Sequence, residues 1–138
     1  MKAVRHVIVT TTVETLAQAS ILSKGIIQSR LAACVQFWPI KSIYHWKGKV
    51  VSGREYLLLC KTQATIAKEL QTHIRSRHAY ELPEIICIPI SAGLPEYLNW
   101  ITHETCQPSK TRGKQRVKSL TFQRQAIKRA VAKKHGKS

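Results

Sequence analysis

The sequence predicts an α+β domain in which an antiparallel sheet carries two helices on one face, with a short C-terminal helix after it. Extended apolar runs and helical apolar spacing alternate in the order β-α-β-β-α-β, which is the split βαβ arrangement. The runs YLLLC and IICIPI are apolar at successive positions, which is typical of strands buried on both faces. Because two helices cover only one face of the sheet, we expect a partner subunit to cover part of the other.

The first strand is predicted over residues 3–12, around the apolar triplet VIV. Apolar side chains then recur at helical spacing and predict a helix within residues 12–30. Thr11 followed by Glu14 predicts a capping box at its start. Gly25 lies inside this helix, where glycine costs about 1 kcal/mol relative to alanine.

A second strand is predicted over residues 31–38, ended by Pro39, which cannot donate to a sheet ladder and therefore predicts a bend or bulge. Two extended runs, SIYHWKGKVV and REYLLLCKT, then flank Ser52-Gly53, a plausible hairpin connection. TIAKELQTHIRSR predicts the second helix, EIICIPI the last strand, and EYLNWITHE the short terminal helix.

The net charge of +16 is distributed unevenly along the chain. Residues 1–106 hold 12 Lys and Arg and all 7 acidic residues, whereas residues 107–138 hold 11 Lys and Arg and no acid. We therefore divide the chain into a folded domain, 1–106, and a basic, disordered tail, 107–138. The alternative for the tail is a basic amphipathic helix that forms on an acidic partner.

Targeting signals and cysteine motifs indicate where the protein works. No apolar run approaches the roughly 18 residues that a membrane span needs, and the N-terminus lacks the features of a secretory signal, so we expect a cytoplasmic protein without a membrane partner. The four cysteines form no C-x-x-C pair, which argues against a zinc ribbon and favours free thiols. Three of them lie in apolar runs and are expected to be buried.

Five motifs occur in the order and spacing of one known family: RLAACV, SIYHWKGKV, LLLCKT, HAYELPEI and YLNWI. The sequence resembles the CutA, or divalent-cation tolerance, proteins over about residues 5–104. The resemblance implies a compact homotrimer of ferredoxin-like subunits that takes part in copper tolerance and binds metal. It implies no enzymatic reaction. The implied trimer agrees with the partner subunit expected from the uncovered sheet face.

His78 is the candidate metal ligand, because a neutral imidazole nitrogen binds copper, zinc or nickel well. The alternative is a structural role at the end of the second helix. The resemblance implies the metal role, since His78 matches a position implicated in copper binding in some members. Some members also carry a cysteine after the first strand and a second histidine before the motif, where this chain has TTT and Arg77. We therefore expect Cu(II) or another divalent cation to bind only weakly.

Glu84 follows Pro83 at the start of the last strand, and Lys61 at the end of the preceding strand is its expected partner. One interpretation is an ion pair between subunits that sets their register. The other is a polar cluster in an inter-subunit cleft, with Tyr44 and Trp46 as aromatic walls.

Two other functions remain open at this point. The tail at +11 would attract phosphate regardless of sequence, so a nucleic acid or another polyanion is the alternative partner. An acylphosphatase-like hydrolase on the same fold is less favoured, because that chemistry needs an anion cradle and a water-orienting Asn. The only Asn, Asn99, falls in the predicted terminal helix.

Overall fold

The computed structural model describes residues 3–106 of the 138-residue chain. The elements in chain order are β1 (His6–Val13), α1 (Leu16–Gln28), β2 (Cys34–Trp46), β3 (Lys49–Gln63), a 3₁₀ turn (Ala64–Ile66), α2 (Ala67–Arg77), β4 (Ile85–Pro89) and α3 (Pro95–Glu104). The strands described form one antiparallel sheet in the order β2-β3-β1-β4. The predicted α+β, ferredoxin-like fold is confirmed. The predicted basic tail, 107–138, lies outside the described residues.

The hydrophobic core lies between one face of the sheet and helices α1 and α2. Val9 on β1 pairs with Cys60 on β3, and alternate residues of both strands point to the same side. The buried side chains of this cluster are Val7, Val9, Val13, Ala19, Leu22, Ile26, Leu31, Ala32, Leu58, Cys60, Ala67, Leu70 and Ile74. Because α1 and α2 both contribute to this one cluster, the two helices cover a single face, as the sequence predicts.

The opposite face of the sheet, called the open face below, remains largely uncovered in one chain. Its apolar side chains include Trp38, Leu57, Leu59, Ile86 and Ile88. Trp38, Ile86 and Ile88 are 42%, 48% and 44% exposed. Helix α3 covers only one end of this face, where Gln63 Nε2 donates a hydrogen bond of 2.8 Å to Thr105 Oγ1. The successive apolar positions in β3 and β4 therefore supply a core on one side and an apolar surface on the other.

The hairpin between β2 and β3 turns at Lys47 and Gly48, so the predicted turn at Ser52-Gly53 is wrong. Lys47 has φ of 48° and Gly48 has φ of 76°, which is the left-handed conformation that a two-residue hairpin loop requires. The predicted interruption at Pro39 is also wrong, because β2 continues through it opposite Tyr56. Since β2 is an edge strand, proline there removes no essential ladder bond.

The capping box of α1 lies four residues later than predicted, at Thr15 and Gln18. Gln18 N–H donates to Thr15 Oγ1 at 3.1 Å, and Thr15 N–H donates to Gln18 Oε1 at 3.1 Å. The predicted pair of Thr11 and Glu14 fails because β1 extends through Val13 and holds Thr11 inside the sheet. Sequence pattern alone could not separate two Thr-x-x-Glu/Gln combinations this close together.

The cysteines, all free thiols, occupy different environments. Cys60 lies in the core, where burial, followed by the nearby Cys34, raises the pKa of its thiol to about 12. Cys34 is half-buried, and Cys87 is exposed although the sequence predicts it to be buried. Cys87 is exposed because it lies on β4, an edge strand with a single strand neighbour.

Candidate functional site

A cleft with a volume of ≈ 970 Å³ lies on the open face beside the β2–β3 hairpin. Residues of β2 and β3 form one wall, and the segment between α2 and β4 forms the other. Its aromatic and charged side chains are Tyr44, His45, Trp46, Glu55, Tyr80, Glu81 and Glu84. We call it the acidic cleft, because its lining holds three carboxylates and neither lysine nor arginine.

Tyr44 and Trp46 form the hairpin side of the acidic cleft; their predicted role as walls of a cleft between subunits stays a prediction. Both lie at alternate positions of β2 and so project to the same face of the sheet. The turn at Lys47-Gly48 places Lys47 Nζ 5.7 Å from the centroid of the Trp46 ring. This distance is within the range of a cation–π interaction, so the ring already attracts a positive charge.

Glu84 lies in the opposite wall, immediately before β4. Pro83 restricts the residue before it to an extended conformation, and the strand then pairs Ile85 with Thr11 on β1. Glu81 lines the same wall two residues before Pro83. The HAYELPEI motif therefore supplies two carboxylates to one side of the cleft.

Glu55, which the sequence pattern did not identify, lies on β3, in the wall of the cleft that β2 and β3 form. It pairs with Ile40 across β2 and β3, and its side chain is only 8% exposed. The alternation of Glu55, Leu57, Leu59 and Lys61 along β3 was the one signal that could have placed Glu55 on the open face. The sequence pattern gave no reason to separate Glu55 from the other charged residues near the hairpin.

Tyr80 lies next to these carboxylates. Desolvation, followed by the charges of Glu55 and Glu14 and by Tyr44, raises the pKa of the Tyr80 phenol to about 12. The phenol therefore keeps its proton at neutral pH and can donate a hydrogen bond. The Tyr80 ring also lies 4.9 Å from the His78 ring, at an interplanar angle of 51°.

Lys61 lies outside the acidic cleft, at the end of the open face that α3 covers. Its Nζ donates to Tyr97 Oη at 3.4 Å and lies 5.5 Å from the centroid of that ring. In the sheet register Lys61 aligns with Ile8 and Ile88, and Ile88 lies four residues after Glu84, so about 13 Å of strand length separates the two rows. Within one subunit, the structure therefore does not bring Lys61 to Glu84.

His78 is the C-cap residue of α2, and its ring is held by two backbone groups. Nε2 lies 2.7 Å from the Thr12 carbonyl oxygen, and the Tyr80 N–H donates to Nδ1 at 3.1 Å. This network fixes a neutral tautomer in which Nε2–H donates and the Nδ1 lone pair accepts. Neither ring nitrogen is available to a metal in this arrangement.

No group of three or more metal-ligating side chains lies together among residues 3–106. The threonines at positions 10–12 form part of β1. The predicted ligand therefore belongs to no such group within residues 3–106. The metal role of His78 stays a prediction, and it depends on ligands from other subunits.

The chain is similar to known proteins in both sequence and structure. The family model described as CutA1 divalent ion tolerance protein matches residues 7–104. The chloroplastic protein CutA of Arabidopsis thaliana is 39% identical over 105 residues, which are 75% of this chain and 58% of that protein. Protein CutA of Mus musculus is 41% identical over 85 residues, 61% of this chain and 48% of that protein. The match thus spans about half the length of these two relatives.

The same similarity extends to solved structures. The structure of the periplasmic divalent cation tolerance protein CutA from Archaeoglobus fulgidus superposes with a TM-score of 0.72 at 34% identity. The superposition covers 73% of this chain and 99% of that one. The match thus spans nearly the whole Archaeoglobus chain and about three quarters of this one.

Proposed function

This chain belongs to the CutA1 family of divalent ion tolerance proteins, and we propose that it acts in tolerance of divalent metal ions as a homotrimer, by binding rather than by catalysis. The observation that carries the proposal is the open face, which leaves Trp38, Ile86 and Ile88 between 42% and 48% exposed in one chain. Apolar surface of this extent favours burial against another protein surface.

Neighbouring copies of the chain are the proposed cover for the open face. Both edge strands of the sheet, β2 and β4, have an unpaired side that another copy could use to extend the sheet. The number three is taken from the family resemblance. Assembly is also the proposed route by which Lys61 of one subunit meets Glu84 of another, since the two lie apart within one chain.

Metal binding is proposed to be weak and to involve His78. To bind Cu(II), His78 must give up a hydrogen bond to Thr12 or Tyr80. A typical hydrogen bond contributes about 1 kcal/mol, so this exchange alone weakens binding about fivefold. Trimer formation would gather three His78 side chains, one per subunit, and supply ligands that one chain lacks.

Calorimetric titration with Cu(II) tests this metal role. We expect the His78→Ala variant to bind Cu(II) more weakly than the wild type. His103→Ala, which removes a histidine on α3, is the matched control and is expected to keep the wild-type affinity. Equal Cu(II) affinity in the wild type and His78→Ala would remove His78 from the site.

The proposed compartment is the cytoplasm. None of the helices within residues 3–106 is long and apolar enough to cross a membrane. The Arabidopsis relative is named as chloroplastic and the Archaeoglobus protein as periplasmic, so relatives in this family are assigned to several compartments. Fractionation of the native source, followed with an antibody to this chain, tests the cytoplasmic assignment.

Nucleic-acid binding through residues 107–138 is the alternative proposal, and it rests on 11 basic residues without an acid. Phosphate contacts of this kind weaken steeply with salt. We expect removal of 107–138 to lower affinity for a random-sequence RNA and to flatten its salt dependence. An RNA affinity unchanged by the truncation would contradict this alternative.

A further inference from the structure

Glu55 is a largely buried residue of the cleft lining whose carboxylate has no partner within the described part of the chain. It is 8% exposed, and no hydrogen bond or ion pair to it occurs among residues 3–106. The ion pair found among residues 3–106 joins Arg30 to Glu104, at the end of α3, with a distance of 3.5 Å. Its carboxylate oxygens are not among the fully buried side-chain atoms that lack a partner, so the oxygens of Glu55 are accessible from the cleft, where they can accept N–H donors from a bound group.

The surroundings of Glu55 have the same sign of charge. Glu81 and Glu84 line the opposite wall, and no lysine or arginine is among the residues that line the cleft. This concentration of carboxylates occurs in a chain whose net charge is +16. A cleft lined by one sign of charge concentrates ligands of the opposite sign.

The cleft is better suited to an organic cation than to a bare metal ion. Its carboxylates are spread over two walls, and no three metal-ligating groups come together among residues 3–106. Metal sites in proteins need several ligands that converge on one point. The walls instead present Tyr44, Trp46 and Tyr80, and aromatic faces attract organic cations.

We propose that the acidic cleft binds a small organic cation that carries N–H donors, an alkylguanidinium or an alkylammonium. Glu55 accepts hydrogen bonds from the cationic head, and the aromatic side chains of Tyr44 and Trp46 contact the carbon stem. Glu81 and Glu84 accommodate a second positive charge at the other end of the ligand. The N–H requirement follows from Glu55, because a carboxylate forms its strongest contacts with cations that also donate hydrogen bonds.

This proposal concerns a ligand that the metal-tolerance role does not include, and it stands independently of metal binding at His78. The cleft opens on the open face, so a neighbouring copy in the proposed trimer would form its outer wall. That wall provides the competing explanation, in which a lysine or arginine of the neighbouring copy neutralises Glu55. If Glu55 binds a ligand, removing the carboxylate weakens ligand binding and leaves the assembly intact. If Glu55 pairs with a cation of the neighbouring copy, removing the carboxylate dissociates the assembly.

Calorimetric titration of the full chain with agmatine, which carries a guanidinium and a primary ammonium, tests the proposal. We expect saturable binding by the wild type and at least tenfold weaker binding by Glu55→Gln, which keeps the side-chain shape. Glu69→Gln, on the exposed side of α2, is the matched control and should bind like the wild type. Tetramethylammonium, which has the charge but no N–H, should bind at least tenfold more weakly than agmatine.

Thermal unfolding without ligand supplies the second measurement. We expect Glu55→Gln to raise the midpoint of unfolding, because it removes one of three carboxylates that line the same cleft, and to leave the mass from light scattering unchanged. Four results would overturn the proposal: no saturable agmatine binding, wild-type affinity in Glu55→Gln, equal binding of tetramethylammonium, or dissociation of the assembly by Glu55→Gln. The last of these would assign Glu55 to a cation of the neighbouring copy.

Discussion

Replacement of His78 by alanine tests the structural role of this residue separately from its proposed metal role. The change removes the bonds to the Thr12 carbonyl, at 2.7 Å, and to the Tyr80 N–H, at 3.1 Å. A hydrogen bond contributes about 0.5–1.5 kcal/mol net, so the loss of both lowers the free energy of unfolding by about 1–3 kcal/mol. Thr12 is only 7% exposed, and its carbonyl would gain little hydration in exchange.

Urea unfolding followed by tryptophan fluorescence, without metal and at one fixed protein concentration, measures this effect. Arg77→Ala is the matched control, because the Arg77 guanidinium makes its contacts within the last turn of α2, to Ser76 Oγ and the His73 carbonyl. We expect the control to change stability by less than about 0.5 kcal/mol, as exposed substitutions usually do. If His78→Ala is no less stable than Arg77→Ala, His78 does not hold α2 to β1.

Three further substitutions test local features of the fold. Burial, followed by the charge of Arg77, lowers the pKa of His73 below its ordinary value of 6.5. The stability that depends on neutral His73 is therefore fully present above pH 6.5, and it is lost as the pH falls toward the pKa of the folded state. His73→Gln should therefore lose less stability than the wild type in urea unfolding between about pH 7 and pH 5; an identical pH dependence would contradict this. Gly25→Ala should stabilise the protein by up to about 1 kcal/mol, because glycine inside a helix is unfavourable and the added Cβ would meet His73 Nε2 at an ordinary 3.8 Å. Gly48→Ala should lower the unfolding midpoint instead, because Gly48 has φ of 76°; a neutral effect would show that this turn tolerates a side chain.

The sequence predicted the order of the elements because periodicity is a local property of the chain. The positions of the hairpin turn and the helix cap were missed, since several nearby residues carry the same turn or cap chemistry. Ser52-Gly53 has typical turn composition, yet β3 runs through it because Lys47 and Gly48 adopt the left-handed conformation first. Pro39 was misinterpreted because its tolerance depends on β2 being an edge strand, which follows only from the assembled sheet.

The candidate site depended on the register between strands, which no local pattern specifies. Tyr44, Trp46 and Glu84 line one cleft, but Lys61 lies about 13 Å from Glu84 along the strands. Glu55 was missed because its place in the cleft depends on residues that are distant in sequence and line the same space, Tyr80 among them. A charged residue in a strand is typical of an exposed position, and only the three-dimensional arrangement identifies this one as buried.

Light scattering coupled to size-exclusion chromatography of the full chain tests most directly the claim that copies of this protein cover the open face. We predict a mass of three times the 15.6 kDa of one chain. Ile86→Lys, which places a charge on the open face, should reduce that mass, whereas Ile21→Lys on the exposed side of α1 should not. A wild-type mass of a single chain, with Trp38, Ile86 and Ile88 left in contact with water, would contradict the account.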